Sequence, residues 1–405
     1  MRNPLKDLNL NILLLGVVSF LTDVSSEMIF PLIPLFLTSV LGAPVYVVGL
    51  IEGIAEATAN IIKMFSGMYS DKIGKRKPFV LWGYGFSTIT KPFFAVATTW
   101  HQVLVVRFLD RVGKGLRGSA RDVMIADYVD EKSRGRAFGY RKMMDQFGAF
   151  LGPLLAFLLL PVLLARFDVE LSYRIIFALS IVPATLAVFI LFFVKEKEDV
   201  VRNIKGWKLD ISVLNTQYKI NLLVTLLFSL GVFNYAFLVL RAQDVGIAVA
   251  LIPLIYVFYN FVYGVFAVPA GMLSDKIGRR AMIILGYATF VLTSLGLGMG
   301  SSLLSISFFF GLYGVFMAIM ESVQRAYISD LVVKEYRGTA LGLYQGAMGF
   351  AALPASLIAG LLWDVVYQGV RATFLFSAAV GVLAVVLFAV LSRKDSVRSA
   401  ANQPS

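Results

Sequence analysis

Long apolar segments follow one another along nearly the whole chain, and this pattern limits the fold more than any other feature of the sequence. Each segment is long enough to cross the hydrocarbon core of a bilayer, which takes about 20 helical residues. Hydrophobic residues make up 58% of the chain and charged residues 15%, proportions outside the range of soluble globular domains. The sequence therefore predicts an all-α, multi-pass membrane protein with no separate soluble domain.

The apolar segments define twelve predicted transmembrane helices, which we call spans 1 to 12. In chain order they cover approximately residues 11–38, 45–69, 79–98, 101–127, 137–160, 171–194, 220–240, 247–273, 281–299, 303–329, 338–363 and 371–391. The polar stretch 195–219 is the best candidate for a linker. We therefore expect a six-helix bundle in 1–194, a cytoplasmic linker in 195–219, a second six-helix bundle in 220–391 and a cytoplasmic tail in 392–405.

The distribution of charge predicts orientation and excludes several classes of function. The formal net charge is +12, but the Lys and Arg residues fall mainly in alternate short loops, as the positive-inside rule predicts. We therefore expect no nucleic-acid partner, and an integral plasma-membrane protein with both termini in the cytoplasm. The chain has no Cys and one His, His101, which leaves no basis for a metal site or for thiol or histidine catalysis. We expect no catalytic residue, no metal and no cofactor.

A compact polar turn between spans 2 and 3 occurs a second time between spans 8 and 9. Residues 67–76 read Gly-Met-Tyr-Ser-Asp-Lys-Ile-Gly-Lys-Arg, and residues 271–280 read Gly-Met-Leu-Ser-Asp-Lys-Ile-Gly-Arg-Arg. Further matches lie 203 residues apart, at Asp127 and Asp330, at Arg134 and Arg337, and at Gly139 and Gly342. A basic loop that only obeys topology does not explain the repeated Gly and Asp spacing. The two halves are therefore predicted to be parallel repeats of six spans.

The twelve spans, the six-plus-six repeat and the paired turn resemble the major facilitator superfamily of transporters, over essentially the whole chain. The family pattern at the turn is Gly-x-Leu-x-Asp-Arg-x-Gly-Arg-Arg/Lys, from which the first copy departs at Tyr69 and Lys72. The resemblance implies the family's fold and transport by alternating access. It also implies a cytoplasmic gate that must open when the transporter faces inward.

The resemblance assigns a role to each gate residue. Asp71 would dock on the N-terminal end of a helix of the other half, near residues 337–340, and Lys75 or Arg76 would pair with Asp127. Gly67 and Gly271 would permit close helix contact. Gly74 and Gly278 would allow a tight reversal of the chain. The gate residues are Gly67, Asp71, Gly74, Lys75, Arg76, Asp127, Gly271, Asp275, Gly278, Arg279 and Asp330.

Span 4 carries cations where the family usually has small residues. The family's Arg-x-x-x-Gly-x-Gly-x-Gly pattern is matched by Arg107, and this chain departs from it at Arg111 and Lys114. With Arg117 and Arg121 these residues are spaced to lie on one helix face. Each cation on a lipid-facing surface could cost about 3 kcal/mol near the bilayer centre. The face must therefore line water or meet carboxylates.

Carboxylates occur on the neighbouring spans. Asp23 and Glu27 share a face of span 1, and Glu52 and Glu56 share a face of span 2. Further carboxylates are Asp110, Asp122 and Asp145. These groups could form buried ion pairs that fix helix packing. For the whole set we favour a role in transport, with Asp23, Glu27 and Asp145 as proton-binding candidates and Arg107 as their charge partner. Lys63, Lys91, Arg141 and Lys142 could equally extend towards an interface.

Two further patterns concern the solute. In span 5, Gly139, Gly148, Gly152 and Pro153 resemble the antiporter motif of exporters in this superfamily, although Ala156 and Phe157 replace its last two glycines. The alternative interpretation is a helix bent for packing. In span 8, Tyr256, Tyr259, Asn260 and Tyr263 are spaced to form one aromatic face, which could serve packing or line a cavity.

Together these patterns predict a secondary active transporter that moves a small organic solute, anionic or amphiphilic, most simply by proton-coupled export. The alternative is an importer or facilitator of an anionic metabolite or a metal chelate, since a bare metal cation would meet too many arginines. The expected partners are the solute, protons and the lipid bilayer, and we expect a monomer. A membrane-embedded enzyme would need a nucleophile or metal constellation that the sequence does not offer.

Overall fold

The computed structural model describes residues 9–73, 75–129, 134–196, 214–333, 336–366 and 368–392. Helices account for all the regular secondary structure in these ranges. The α-helices are α1 (Leu10–Ile29), α2 (Ile33–Leu35), α3 (Val45–Ile73), α4 (Lys77–Thr90), α5 (Pro92–Val96), α6 (Trp100–Asp127), α7 (Arg134–Leu164), α8 (Val169–Leu179), α9 (Ile181–Phe192), α10 (Thr216–Ser229), α11 (Tyr235–Asp244), α12 (Ile252–Ile277), α13 (Arg279–Met299), α14 (Leu303–Leu331), α15 (Arg337–Val365) and α16 (Gly369–Leu391). A π-helical turn, Phe36–Val40, follows α2, and a 3-10 turn, Val249–Leu251, precedes α12.

Several helices are interrupted where the sequence places proline or small residues. Pro31, between α1 and α2, and Pro34, in the first turn of α2, lack backbone donors, and so does Pro92 at the start of α5. The chain also leaves the helical path between α10 and α11, and a single residue, Ser180, separates α8 from α9. These interruptions expose backbone carbonyls inside the protein, where polar side chains can reach them.

Nine helical segments of the described ranges are long and apolar enough to cross a membrane. The set omits α6, whose 28 residues carry many charges, and the pairs α4–α5 and α10–α11, whose members are short. Length and composition therefore identify fewer crossings than the twelve predicted spans. Crossing by the remaining segments, and the cytoplasmic position of the termini, stay predictions.

The chain divides into two compact units. Unit 1 contains the described residues of Met1–Lys205 and of Tyr235–Val257, and unit 2 contains those of Gly206–Asn234 and of Phe258–Ser405. The chain passes from unit 2 back to unit 1 at the interruption between α10 and α11. Helix α11 and the first residues of α12 therefore belong to unit 1.

Within unit 1, α1 packs on α7 and α9, and α6 packs on both α3 and α4. A close approach of α6 to α4 depends on Gly113, because a Cβ atom there would lie 2.6 Å from the carbonyl oxygen of Gly83. This packing places the charged helix α6 in the interior of the unit. Within unit 2, α13 packs on α14 and α16 around an apolar, aromatic core.

Candidate functional site

The centre of the site is an ion pair between α6 and α3, with both side chains fully buried. Arg107 donates from Nε to Oε1 of Glu52 over 3.0 Å and from Nη2 to Oε2 over 2.8 Å. Nη2 of Arg107 also donates to the hydroxyl of Tyr235 over 3.1 Å. Two parallel bonds of this kind fix the guanidinium in one plane. Arg107 is therefore held rigidly in the interior.

The ring of Phe30 lies against two guanidinium groups of α6. The guanidinium carbon of Arg107 is 4.3 Å from the ring centroid and that of Arg111 is 4.9 Å from it. Nη2 of Arg111 also approaches Oε1 of Glu56 to 3.6 Å. An aromatic face attracts cations, more so where water is excluded. Phe30 thus helps to keep two buried cations close together.

The remaining cations of α6 have different surroundings. Arg117 is buried with its guanidinium 4.5 Å from the ring centroid of Tyr84, and no carboxylate of the described ranges lies within 4 Å of it. Arg121 donates to the hydroxyls of Ser19 and Tyr84 over 2.8 Å and 3.1 Å. Lys114 is exposed and makes no hydrogen bond or ion pair with any described residue. Lys114 therefore differs from Arg107, which is buried and paired.

The carboxylates of α1 are half-buried and differ in their partners. Oε2 of Glu27 accepts a hydrogen bond from the hydroxyl of Tyr256 over 3.2 Å. Asp23 has no hydrogen bond or ion pair with the part of the chain that the structure describes. Both carboxylates lie within electrostatic range of Lys114. An accessible carboxylate without a fixed cation can bind and release a proton.

The predicted charge partner of these carboxylates is wrong. We expected Arg107 to pair with Asp23, Glu27 or Asp145, but Arg107 is paired with Glu52 on α3. Asp145 instead accepts from Nη2 of Arg141, one turn away on α7, over 2.8 Å, and Arg141 also pairs with Asp122 over 3.1 Å. The reason is distance, since α6 makes extensive contact with α3 and only limited contact with α1.

The other candidates are Asp110 on α6 and the glycines of α7. Asp110 is buried, accepts from the hydroxyl of Ser87 and lies 4.0 Å from Arg107. A Cβ atom on Gly148 would lie 2.8 Å from Cβ of Asp23, and one on Gly152 would lie 2.9 Å from Cβ of Glu27. The spacing that resembles an antiporter motif therefore places α7 directly against the carboxylate-bearing face of α1. Gly139 makes no such approach, because a Cβ atom there would meet no atom of the described residues within 4 Å.

The predicted aromatic face of α12 is divided between the units. Tyr256 belongs to unit 1, where it donates to Glu27. Tyr259 belongs to unit 2, where it stacks on Tyr263 at 6.5 Å and lies 5.8 Å from the ring of Tyr313. Asn260 is buried in the same unit. Packing therefore accounts for Tyr259, whereas Tyr256 contacts the charged site.

The predicted gate residues come together within each unit. Nη1 of Arg76 lies 3.2 Å from Oδ2 of Asp127, and Arg279 pairs with Asp275 over 2.6 Å and with Asp330 over 3.3 Å. Lys75 is exposed. Gly278 has a φ of 94°, as a tight reversal requires. The close helix contact expected at Gly271 is absent from the described ranges, since a Cβ atom there would meet nothing within 4 Å.

Some assigned residues cannot be placed. Gly74, together with the side-chain surroundings of Gly67, Asp71 and Arg134, lies outside what the structure describes. The expected docking of Asp71 on the other half therefore stays a prediction.

The sequence patterns missed several contacts of the site. Phe30 was not singled out. For Lys91 and Arg141 an extension towards an interface was left open, whereas Lys91 is buried and Arg141 is paired. A comparison of residues 203 positions apart in the two halves could have indicated some of these interior residues. Tyr84 and Tyr287 lie 203 residues apart, as do Phe30 and Phe233, and all four side chains line the interior of their unit.

A polytopic helical bundle with buried ion pairs and accessible charged groups on its interior helices is the architecture of a membrane transporter. The sequence profile of the Major Facilitator Superfamily matches residues 15–240 and 221–405. An uncharacterized MFS-type transporter of Methanocaldococcus jannaschii is 36% identical over 388 residues, which cover 94% of this chain and 95% of the relative.

Two further proteins are similar. A probable 4-methylmuconolactone transporter of Cupriavidus pinatubonensis is 28% identical over 311 residues, covering 73% of this chain and 70% of the relative. The crystal structure of a mutant of the nucleoside transporter NupG superposes with a TM-score of 0.80 at 13% identity, covering 95% of this chain and 100% of that chain. The chain therefore belongs to the Major Facilitator Superfamily. It is a multi-pass membrane transporter of small solutes and not an enzyme.

Proposed function

We propose that the protein is a secondary active transporter that exports a small organic anion or amphiphile in exchange for protons. The observation that carries this proposal is the pairing pattern of unit 1. Its buried cation Arg107 is held by Glu52, while half-buried Asp23 and exposed Lys114 have no ion pair of their own among the described residues. Fixed pairs support the fold, and unpaired groups can bind protons and solute.

Asp23 and Glu27 are the proposed proton-binding groups. Both are half-buried on α1, so water can reach them while the surrounding helices raise the cost of their charge. The hydroxyl of Tyr256 donates to Glu27, and this bond is strongest when Glu27 is ionised. Protonation of Glu27 would therefore weaken a contact between α1 and α12. That contact gives proton binding a direct effect on the arrangement of two helices.

The cations of α6 form the proposed solute-binding wall. Lys114 is exposed, and buried Arg111 and Arg117 each retain a guanidinium nitrogen without a hydrogen-bond partner in the described ranges. A carboxylate, sulfonate or phosphate of a solute would satisfy these donors. Export is favoured over import because α7, which carries the antiporter-like spacing, packs its Gly148 and Gly152 on the proton-binding face of α1.

Import or facilitated passage of an anionic metabolite or metal chelate is the second candidate. The same three cations of α6 favour it, because a basic wall binds an anion in either direction of transport. The similarity to a probable 4-methylmuconolactone transporter supports the broader class of small organic solutes. The two candidates differ in the sign of the coupling between proton flow and solute flow.

The remaining features of the proposal concern topology and the gate. We propose twelve crossings divided into bundles 1–194 and 220–391, both termini in the cytoplasm, a plasma-membrane location and a monomeric state. The ion pairs of Arg76 and Arg279 would close the cytoplasmic side. Asp71→Asn and Asp275→Asn should then abolish transport while insertion into the membrane stays normal. Unchanged transport by both variants would exclude the gate.

Direction and coupling can be tested in energised membrane vesicles with benzenesulfonate as the probe. This anion stays ionised at all relevant pH values, so it does not cross lipid unaided as a weak acid would. In inside-out vesicles, an exporter that exchanges protons for the anion should accumulate the probe when respiration acidifies the lumen. A proton symporter should accumulate it only in right-side-out vesicles. Equal probe levels in vesicles with and without the protein, in both orientations, would contradict anion transport.

Two variants link the test to the site. Glu27→Gln should abolish proton-driven accumulation of benzenesulfonate. Glu170→Gln is the matched control, because Glu170 is also a carboxylate of unit 1 but is exposed and paired with Arg174 on α8. Accumulation that is unchanged in Glu27→Gln would remove Glu27 from the coupling mechanism.

A further inference from the structure

Lys91 is a buried lysine that the proposed solute and proton sites do not use. It occupies the single position between α4 and α5, where Pro92 prevents the helix from continuing. Its side chain is 1% exposed. The interruption turns Lys91 into the interior of unit 1, so it cannot extend to an interface as lysines at helix ends usually do.

The amine nitrogen of Lys91 is bound by hydroxyl groups. It donates to Ser25 and, over 3.1 Å, to Ser26, and both serines belong to α1. Ser25 donates onward to the carbonyl of Ser180, the residue between α8 and α9, over 2.5 Å. No carboxylate of the described ranges lies within 4 Å of the Lys91 nitrogen. A buried ammonium held only by hydroxyls is costly, which favours a group that changes its protonation state.

Charged groups face Lys91 from two of the packed helices. On α6 they are Asp110, Arg111 and Arg117, and on α1 the group is Asp23. On α8, Arg174 donates to the carbonyl of Ala95 and pairs with Glu170, and α9 contains no ionisable residue. Asp110 is itself fixed by the hydroxyl of Ser87. Lys91 is thus within electrostatic range of a fixed carboxylate, Asp110, and of a half-buried one, Asp23.

We propose that Lys91 is a second proton-binding group of the transport cycle, which takes the proton that Asp23 receives from water. In this step the O–H bond of the Asp23 carboxyl breaks and an N–H bond forms on Lys91. Asp23 becomes a carboxylate, and Lys91 becomes an ammonium balanced by ionised Asp110. Ser26, which lies one turn from Asp23 on α1 and is bound to Lys91, is the bridging hydroxyl. This inference rests on the proposed proton coupling.

The first test needs no solute. Lysine side chains of the full-length protein are isotope-labelled in nanodiscs, and the Lys91 signal is assigned by its loss in Lys91→Arg. The signal should change between amine and ammonium form between about pH 5 and about pH 9, the range over which buried lysines titrate. It should also shift in Asp23→Asn and not in Glu170→Gln. A Lys91 signal that keeps one form throughout this range and ignores Asp23→Asn overturns the proposal.

The second test separates coupling from solute binding, with benzenesulfonate as the probe in proteoliposomes. Lys91→Met should abolish proton-driven accumulation, so that the probe reaches only the level found without a proton gradient. Exchange of labelled for unlabelled probe, which needs no net proton movement, should persist. Lys142→Met, an exposed lysine of α7, is the matched control. Equal proton-driven accumulation in Lys91→Met and the control overturns the proposal.

A structural role for Lys91 predicts different results. It would lower accumulation and exchange together in Lys91→Met, and Lys91→Arg would restore both. Proton binding predicts that Lys91→Arg keeps exchange but stays uncoupled, because an arginine does not lose its proton. If the wild-type protein shows no proton-driven flux while the Lys91 signal still responds to pH and to Asp23→Asn, the proposed function fails and the inference about Lys91 does not.

Discussion

The interiors of the two units share one framework and differ in charge. In unit 1, Arg121 donates to the hydroxyls of Ser19 and Tyr84. In unit 2, Gln324 lies 203 residues after Arg121 and donates to Thr225 over 2.9 Å, and Thr225 lies 3.3 Å from the hydroxyl of Tyr287. The same tyrosine position therefore meets a guanidinium in one unit and, through a threonine, a neutral amide in the other.

Aromatic rings at repeated positions show the same contrast. Phe30 lies against the guanidinium groups of Arg107 and Arg111, whereas Phe233, 203 residues later, stacks on Tyr313 at 5.2 Å. Unit 1 can hold cations because α3 supplies Glu52 and Glu56, and a desolvated charge is tolerated only beside its partner. The comparison shows that one fold has been adapted to hold charge in one half and aromatic packing in the other.

The largest loss of stability is expected at Glu52, where the two units differ most in buried charge. Glu52→Gln leaves Arg107 buried without its counterion and should lower the free energy of unfolding by about 3 to 5 kcal/mol. Glu321→Gln in unit 2 should cost less than about 1 kcal/mol, because its pair with Arg325 is half-exposed. Thermal unfolding of both variants in detergent measures the difference. Similar losses for the two variants would contradict the assignment of charge burial to unit 1.

The second-largest loss of stability is expected from overpacking between α7 and α1. A Cβ atom on Gly152 would lie 2.7 Å from the carbonyl oxygen of Val24, so Gly152→Ala should lower the free energy of unfolding by about 3 kcal/mol through overpacking. Gly139→Ala on the same helix meets no atom in the part of the chain that the structure describes and should be neutral or stabilise by up to about 1 kcal/mol. Thermal unfolding of the two single variants measures this contrast. A stable Gly152→Ala protein would show that α1 and α7 do not approach so closely.

The ion pair of the predicted gate should also contribute more to stability in unit 1 than in unit 2. Side chains of Arg76 and Asp127 are 5% and 7% exposed, whereas those of Arg279 and Asp330 are 25% and 40% exposed. Asp127→Asn should therefore lower the free energy of unfolding by about 2 kcal/mol, the range for a bond to a charged group. Asp330→Asn should cost less than about 1 kcal/mol. A larger loss in Asp330→Asn would reverse the ranking of the two gates.

The smallest stability effect is expected from making unit 1 resemble unit 2. Arg121→Gln introduces the residue found at the repeat position, and Asp122 retains its pair with Arg141, so the loss should be about 1 kcal/mol. Uptake of benzenesulfonate should nevertheless fall, because a cation of the interior is removed. Arg174→Gln, in the same unit but bound to Glu170 and the carbonyl of Ala95, serves as the control for uptake. Equal uptake in both variants would separate Arg121 from solute recognition.

Family membership and the ion pairs of the two-copy turn were readable from the sequence because they depend on local spacing. The Gly and Asp positions of residues 67–76 recur in 271–280, and the cations that follow them do pair with Asp127 and Asp330. The face of cations on α6 was equally predictable from helical periodicity. The length of the hydrophobic segments did not identify every predicted span. Helix α6 carries so many charges that it is not among the segments that length and composition identify as able to cross a membrane.

The sequence by itself determined the class of protein, its internal repeat and the set of charged residues that must lie inside it. Only the tertiary structure decided how the buried charges of α6 pair. Arg107 meets Glu52 rather than the carboxylates of α1 because glycine contacts and helix packing set α6 against α3 and α4. Pairing between side chains distant in sequence depends on distances of a few ångströms between helices, and a one-dimensional pattern does not contain them.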